Sequence, residues 1–334
     1  MKTVRSLAAI GAAAALFAAC HDTDSTAPTR NMVASGPALS VNAETAVYSP
    51  ELAKIQQGLV ASGITNVALQ SAEISVAVDS AGWQGATTLI ANDRTHTLSS
   101  AFVPRDPRRG GSAAISYIVD ESNLLAASRS AAHPGGFLIT KPQLEPEIDA
   151  SMARWQNQPA CGAPAVTKVA YTGVDPDRID ALVFGDPARF GSRLADITQA
   201  GWLPPSFFNL IAPNGASFIL GVTFTFVYID ANGVPTDIDR DGRADVSTRE
   251  IYYNQNFYWT TDPTYPRAVD IQSVATHESG HAYGLGHFGY VFQDDRDVLH
   301  YAPKAVMNAV YVSSFRNLTG SDIASFCQLW ANAK

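Results

Sequence analysis

The stretch HESGHAYGLGH, residues 277–287, holds three of the seven histidines of this chain. His277 and His281 are four residues apart, so on an α-helix both side chains project from one face, one turn apart, and can bind one metal ion. Gly284 lets the backbone turn and end the helix, which allows His287 to approach the same ion as a third ligand. The spacing therefore predicts a metal centre at the end of a helix.

Three neutral imidazoles suit a zinc ion, which keeps its positive charge and one position for a water molecule. Zinc lowers the pKa of such a water to about 7. Glu278, beside the first ligand, is expected to take the proton of this water as it attacks a carbonyl and to pass it to the departing amine. The pattern thus predicts a zinc hydrolase, with His277, His281 and His287 as ligands and Glu278 as the catalytic residue.

The composition is that of a globular protein. The chain has 334 residues, of which 46% are hydrophobic, and a sizeable core is expected. Asp and Glu number 31 against 23 Lys and Arg, so the net charge of -8 offers no surface for a nucleic-acid backbone. We expect a monomer whose partner is a protein or peptide substrate.

The first twenty residues have the pattern of an export signal. Lys2 and Arg5 precede an apolar run at residues 7–19 that is too short to span a bilayer. Cys20 follows two small residues, and this resembles the lipobox of bacterial lipoproteins, in which the cysteine is lipidated; an ordinary secretory signal cleaved nearby is the alternative. We expect a signal peptide at 1–19 and an exported protein, lipid-anchored to the bacterial cell envelope or else periplasmic or extracellular.

Two segments lie between the predicted signal peptide and the domain that contains the histidine motif. Residues 20–45 are rich in Thr, Ser, Ala, Pro and Asp and lack apolar periodicity, which predicts a flexible tether. Residues 46–112 form an N-terminal region whose role the sequence leaves open. The stretch PRDPRRGG at 104–111 is predicted to be an exposed basic loop, and the alternative is a cleavage site for maturation. In this region we predict a helix at 51–60 and strands at 73–78 and 87–90.

Stronger patterns begin near residue 113. Ile148, Met152 and Trp155 are spaced along one face of a helix. Segments rich in β-branched and aromatic residues predict strands at 114–119, 166–171, 218–229 and 250–253. Further helices are predicted at 269–283 and 321–333. A helix among strands, followed by helices, indicates an α+β domain at 113–334.

HESGHAYGLGH matches H-E-x-x-H-x-x-G-x-x-H, and on this signature the chain resembles the metzincin metallopeptidases. Met307 in AVMNAVY resembles their Met-turn, and Tyr311 is similar to the pocket-wall tyrosine of the matrixins. Trp155 and the segment 318–330 also resemble the first and last matrixin helices. The resemblance covers roughly residues 113–334 and implies a zincin-type fold with a twisted mixed sheet, an active-site helix and a C-terminal helix.

Two positions and one interval depart from the matrixin pattern. Phe288 stands where matrixins usually have Ser, Ala309 replaces a Pro of the pocket wall, and the interval from His287 to Met307 is longer than is typical. Zinc binding and hydrolysis do not depend on these positions. Pocket shape and substrate preference depend on them, so neither carries over from the family.

The resemblance implies an endopeptidase that binds its substrate extended. We expect the substrate to add a strand to the sheet edge beside the zinc helix, with one side chain in the pocket near Tyr311. Two alternatives are a non-catalytic zinc- and calcium-binding surface module and a zinc hydrolase of a non-peptide amide. Glu278 argues against the first, because a purely structural zinc site needs a fourth protein ligand rather than a base.

A second metal site is indicated by DIDRDGRAD, residues 237–245. Alternating carboxylates with a glycine at the turn follow the first nine positions of an EF-hand loop, although Thr248 stands where the loop usually ends in Glu. The alternative is a solvated acidic turn between two strands. The expected calcium ligands are Asp237, Asp239, Asp241, Asp245 and the carbonyl of Arg243.

Cys161 and Cys327 remain once Cys20 is assigned to the signal. The stretch PACGAP, residues 159–164, resembles the matrixin cysteine switch, but it lies inside the predicted catalytic domain rather than upstream of it. Two cysteines in an exported protein tend to pair. We therefore expect a disulfide between Cys161 and Cys327, with the switch as the alternative.

Overall fold

A computed structural model describes residues 50–77, 87–88, 97–121, 139–179, 193–265, 268–293, 296 and 298–330. The predicted signal peptide at 1–19, Cys20 and the tether at 20–45 lie outside the described residues. Among the residues described, no helix has the length and apolar character needed to cross a membrane.

The described part of the chain contains thirteen β-strands. They are β1 (Val67–Ala77), β2 (Thr87–Thr88), β3 (Ser100–Ala101), β4 (Ile115–Val119), β5 (Val166–Val169), β6 (Ile197–Leu203), β7 (Ile219–Tyr228), β8 (Ala244–Asn254), β9 (Trp259–Thr260), β10 (Val269–Asp270), β11 (Tyr290–Gln293), β12 (Leu299–Ala302) and β13 (Val310–Tyr311). Nine of them form one mixed sheet with the order β13-β1-β7-β8-β6-β4-β5, to which β2 adds beside β1 and β3 beside β8.

Five α-helices in the described ranges cover this sheet. They are α1 (Pro50–Ala61), α2 (Lys141–Gln156), α3 (Pro205–Ile211), α4 (Ile271–Tyr283) and α5 (Gly320–Trp330). Residues of α2, α4 and α5 share one apolar cluster with one face of the sheet, and residues of α1 and α3 share a second cluster with the other face. This layering of a mixed sheet and helices confirms the predicted α+β fold.

The N-terminal region contributes a full strand to the sheet. β1 pairs antiparallel with β7, from Val67 opposite Tyr228 to Val76 opposite Ile219. Its apolar residues Ala72, Ile74 and Val76 enter the cluster beneath α1 and α3. The intervening residues Ser71, Glu73 and Ser75 are buried as well, and they lie on the face that α4 covers.

The sequence patterns missed β6, although it lies in the middle of the sheet between β4 and β8. Every residue of β6 is buried, and its sequence ITQAGWL mixes polar and apolar residues without alternation. A strand covered on both faces need not alternate, because neither face meets water. Periodicity therefore carried no signal there.

The stretch at 104–111 is a loop, and Arg105, Pro107, Gly110 and Gly111 are exposed as predicted, but Asp106 and Arg109 are buried. Arg109 is only 4% exposed. Its Nε and Nη2 atoms donate to the two carboxylate oxygens of Asp196, at 2.7 and 2.9 Å. A guanidinium tolerates burial when a carboxylate pairs with it in this bidentate way, and that partner lies far away in the sequence.

Candidate active site

Helix α4 carries the first half of the site. Asp270 caps it by accepting a hydrogen bond from the Ser273 backbone N–H, at 3.0 Å. The helix ends at Gly284, whose φ of +106° lies in the left-handed region that glycine adopts without strain. The chain then turns back, so that His287 faces His277 and His281.

The three histidines converge on one point. Their Nε2 atoms lie 3.0 Å from one another. The Nδ1 atoms of His277 and His281 lie 2.7 Å from the carbonyl oxygens of Val306 and Leu285. A carbonyl accepts only, so each Nδ1 carries the proton and each Nε2 presents a lone pair.

This arrangement fits a zinc ion. Three Nε2 lone pairs aimed at one point repel one another without a cation, and imidazole nitrogen is a zinc ligand. Burial lowers the pKa of His277 to about 4 and lowers the pKa of His281 and His287 well below the ordinary value, so all three are neutral at pH 7. Among the described residues this ligand group comprises only the three histidines, which leaves a position for a further, non-protein ligand.

Glu278 follows His277 directly on helix α4 and is fully buried. Its Oε1 accepts a hydrogen bond from Ser75 Oγ and its Oε2 accepts one from Thr223 Oγ1, both at 2.6 Å. Burial raises the pKa of Glu278 to about 7, while these hydrogen bonds act in the opposite direction. Gly221 of β7 passes so close that a Cβ there would lie 2.8 Å from Oε1, so any larger residue would displace the carboxylate.

Met307, the residue compared with the Met-turn, packs against Gly280 of helix α4. It is fully buried, and a Cβ on Gly280 would lie 2.3 Å from its Sδ, so the thioether fills the space that this glycine leaves. Asp322 of α5 holds the segment in place, because its carboxylate accepts the backbone N–H groups of Val306 and Met307, at 3.0 and 3.1 Å. Val306 in turn binds His277, so Asp322 supports a zinc ligand indirectly.

A pocket opens next to His277. Tyr311 lines it, and its hydroxyl accepts the backbone N–H of Asp270 at 2.9 Å, which fixes the ring at the start of α4. Ala309 is buried in the same segment. The other residues that line this pocket are Ser75, Ser273, Val274, Tyr301, Lys304, Ala305, Val306, Asn308, Val310, Val312, Ser313 and Phe315.

In the acidic loop at 237–245, the carboxylate of Asp237 accepts backbone hydrogen bonds from later residues of the loop. Asp237 accepts the backbone N–H groups of Asp241 and Gly242, at 3.1 and 3.0 Å. Carboxylate oxygens of Asp237, Asp239 and Asp245 lie within 4.8 Å of one another. Burial, followed by the neighbouring carboxylates, raises the pKa of Asp239 above its ordinary value.

The last member of this loop already has a cationic partner. Asp245 Oδ2 lies 2.7 Å from Arg108 Nη2 and also accepts the Thr236 hydroxyl at 2.6 Å. Asp241 accepts the backbone N–H of Arg243 at 2.8 Å. A cation in the loop would therefore share Asp245 with a guanidinium.

Cys161 and Cys327 form a disulfide in the structure. It joins the short 3₁₀ turn at Pro159–Cys161 to α5, across a sequence separation of 166 residues. A thiol held in this bond is not available to cap a metal, which removes the basis of the cysteine-switch alternative for PACGAP.

Sequence reasoning missed several residues of the site. Glu73 and Ser75 come from the N-terminal region, and Thr223 and Asp322 lie on other elements. It also missed a second carboxylate group, formed by Asp120, Asp175 and Asp177, whose oxygens lie within 4.8 Å of one another. The only sequence signal for that group was the pair of aspartates in VDPD, residues 174–177.

One comparison with known proteins bears on this geometry. Residues 242–331 match the family model described as matrixin. The matched stretch contains the three histidines, Glu278, Met307 and the whole of helix α5. No curated protein sequence matches the chain.

Proposed function

Because the chain contains a matrixin-like metzincin domain, we propose that it is an exported zinc endopeptidase that hydrolyses peptide bonds within proteins or extended peptides. The match itself supports a zinc metallopeptidase in general. The observation that carries the proposal further is the convergence of three neutral imidazoles beside one buried carboxylate. A ligand set of three histidines with a neighbouring glutamate is the arrangement of a hydrolytic rather than a structural zinc site.

His277, His281 and His287 would hold the ion, and zinc would supply a positive charge that acidifies water and polarises a substrate carbonyl. Glu278 then serves as the general base, taking the proton at a carboxylate oxygen and delivering it to the departing amine. The hydrogen bond between Thr223 and Glu278 orients the carboxylate for this role. Tyr311 and its neighbours would receive one substrate side chain in the adjacent pocket.

The test separates the base from the ligands. Glu278→Ala should keep zinc, measured by elemental analysis, but lose cleavage of denatured casein by orders of magnitude, because the ligands remain and the proton acceptor is gone. His281→Ala should lose the metal itself. Near wild-type cleavage by Glu278→Ala would refute the assigned role of this residue.

We further propose that the loop at 237–245 binds calcium through the carboxylates of Asp237, Asp239, Asp241 and Asp245 and the carbonyl of Arg243. Support comes from the turn that closes on Asp237 and from the three carboxylates that face one another. Millimolar calcium should raise the melting temperature of the wild type, because it binds the folded state, and the double variant Asp239→Ala, Asp241→Ala should abolish this response. Identical melting curves with and without calcium would contradict the site.

Export and anchoring are also proposals. Residues 1–19 would direct export, and Cys20 would carry the lipid that anchors the protein to the cell envelope. Cys20→Ser should move the protein from the membrane fraction to the soluble exported fraction. Full membrane association of this variant would contradict the anchor.

A further inference from the structure

Strand β1 occupies the edge of β7 next to Glu278, since Ser75 of β1 and Thr223 of β7 both bind that carboxylate. β7 pairs with β8 along one edge and with β1 along the other, so neither edge of β7 is open over the length of these pairings. A peptide that adds a strand to a sheet needs an edge with unpaired N–H and C=O groups. The edge of β7 that pairs with β1 can therefore accept a peptide only after β1 has been displaced.

The residues of β1 reach into the site. Ser75 engages the carboxylate of Glu278 through its hydroxyl, at 2.6 Å, and through its backbone N–H. Glu73, two residues earlier, places Oε2 3.8 Å from Nδ1 of His287. Ser75 also lines the pocket beside His277. The general base and one histidine are thus in contact with a segment that lies outside the matrixin match.

The end of β1 is held between two elements of the cleft. Val76 and Ala77 pair in parallel with Val310 and Tyr311 of the pocket wall. The Val76 N–H donates to the Ala309 carbonyl at 2.9 Å, and the Ala77 N–H donates to the Phe218 carbonyl at 2.8 Å. The end of β1 is therefore bonded through its backbone to the segment of the pocket wall on one side and to the residue before β7 on the other, close to Glu278.

We infer that β1, residues 67–77, is an internal pseudosubstrate strand that keeps the site closed and must be displaced before a substrate peptide can bind. This inference rests on the proposed endopeptidase function. Because Ser75 satisfies one oxygen of Glu278, and β1 fills the edge of β7, the closed and peptide-bound states exclude each other. The apparent affinity for peptides is then the intrinsic affinity multiplied by the fraction of molecules in which β1 is displaced.

A reversible clamp tests the displacement. Ile74 and Val222 are directly opposed on β1 and β7, on the sheet face away from the histidines, and directly opposed residues lie within disulfide reach. The full-length variant Ile74→Cys, Val222→Cys is loaded with zinc, and its zinc content is measured. Binding of a fluorescein-labelled tripeptide hydroxamate is then followed by anisotropy, with and without a reductant.

We expect the oxidised double-cysteine variant to bind the hydroxamate at least about tenfold more weakly than the reduced variant, because a strand held by the disulfide cannot leave the edge of β7. Wild-type protein in the same reductant controls for reduction of the native disulfide. Equal affinities in both states would overturn the inference, as would full zinc content without binding in either state. Failure to bind zinc at all would instead overturn the proposed function, and the inference with it.

A loosened strand tests the same point from the opposite direction. Ile74→Ala removes apolar contact from β1, and Ile211→Ala removes a similar contact from α3 in the same cluster. Ile74→Ala should tighten hydroxamate binding several-fold, whereas Ile211→Ala should lower the melting temperature without this gain. Weaker binding by Ile74→Ala, or the same gain in both variants, would show that β1 is not an inhibitory strand.

Discussion

Replacing Asp322 by asparagine should weaken both the fold and the zinc site. The carboxylate is completely buried, and its Oδ1 accepts the Met307 N–H at 3.1 Å. Its Oδ2 accepts three hydrogen bonds, from the Val306 N–H at 3.0 Å and from the Thr319 N–H and hydroxyl, each at 2.7 Å. All four partners donate, so the site requires a group that only accepts.

The magnitude follows from this count. The amide oxygen of asparagine can replace Oδ2 and keep three bonds, but the amide NH₂ then faces the Met307 N–H, donor against donor. One charge-assisted hydrogen bond is lost, at about 1.5–3 kcal/mol, and the remaining three lose the contribution of the negative charge. We expect the free energy of unfolding of Asp322→Asn to fall by about 2–4 kcal/mol in total.

Asp322→Asn should also weaken zinc binding, because Val306 contacts both Asp322 and His277. The Val306 carbonyl orients His277, so a loosened segment should lower zinc affinity by about tenfold, as losses behind a ligand commonly do. Urea unfolding measures the stability, and competition with a chromophoric chelator measures the affinity. Asp230→Asn, the same change in an exposed turn, should have a much smaller effect on both. Wild-type zinc affinity in Asp322→Asn would refute the coupling through Val306.

Three other perturbations have defined outcomes. Gly280→Ala should lower the melting temperature despite the better helix propensity of alanine, because the new methyl group would overlap Met307, at a cost of about 1–3 kcal/mol; an unchanged or higher value would contradict the packing. Burial alone would raise the pKa of Asp196, but its hydrogen bonds and ion pairs outweigh burial and hold the pKa in the folded state below the ordinary 3.8. The ionised carboxylate of Asp196 therefore stabilises the fold above pH 3.8, and this stabilisation is lost as the pH falls through the lower folded-state pKa. Stability measured from pH 6 to pH 2 should therefore fall less steeply in Asp196→Asn than in the wild type, and parallel curves would contradict this assignment. Cys161→Ser combined with Cys327→Ser should lower the free energy of unfolding by up to about 4–5 kcal/mol on the chain-entropy estimate, and with it the midpoint of unfolding in guanidinium. An unchanged midpoint would show that the bond does not stabilise the fold.

The zinc centre was the part of the molecule that local sequence determined most fully. A spacing of four residues on a helix places His277 and His281 on one face whatever surrounds the helix. Gly284 ends the helix at the position the spacing required, with a φ that glycine adopts readily. Helix α4, its ligands and the neighbouring Glu278 could therefore be predicted from eleven consecutive residues.

Longer elements were predicted where one periodicity dominated. The predicted helix at 269–283 begins at Ile271 instead, because Val269 and Asp270 pair with β9. Strands β4 and β7 lie close to their predicted limits, since their β-branched and aromatic residues form the buried sheet. β6 was missed because burial on both faces removes the alternation that marks a strand.

Only the tertiary structure decided what surrounds the zinc centre. The pairing of β1 with β7, and with it the contact between Ser75 and Glu278, joins residues 203 positions apart. The contact between Arg109 and Asp196 spans 87 positions. Periodicity reports which residues are buried, but not which other segment buries them, because any strand of suitable pattern could fill the same edge. The sequence alone thus determined the three histidines and the carboxylate beside them, while the choice of strand that covers them depended on long-range pairing and on the apolar cluster that holds β1 in the sheet.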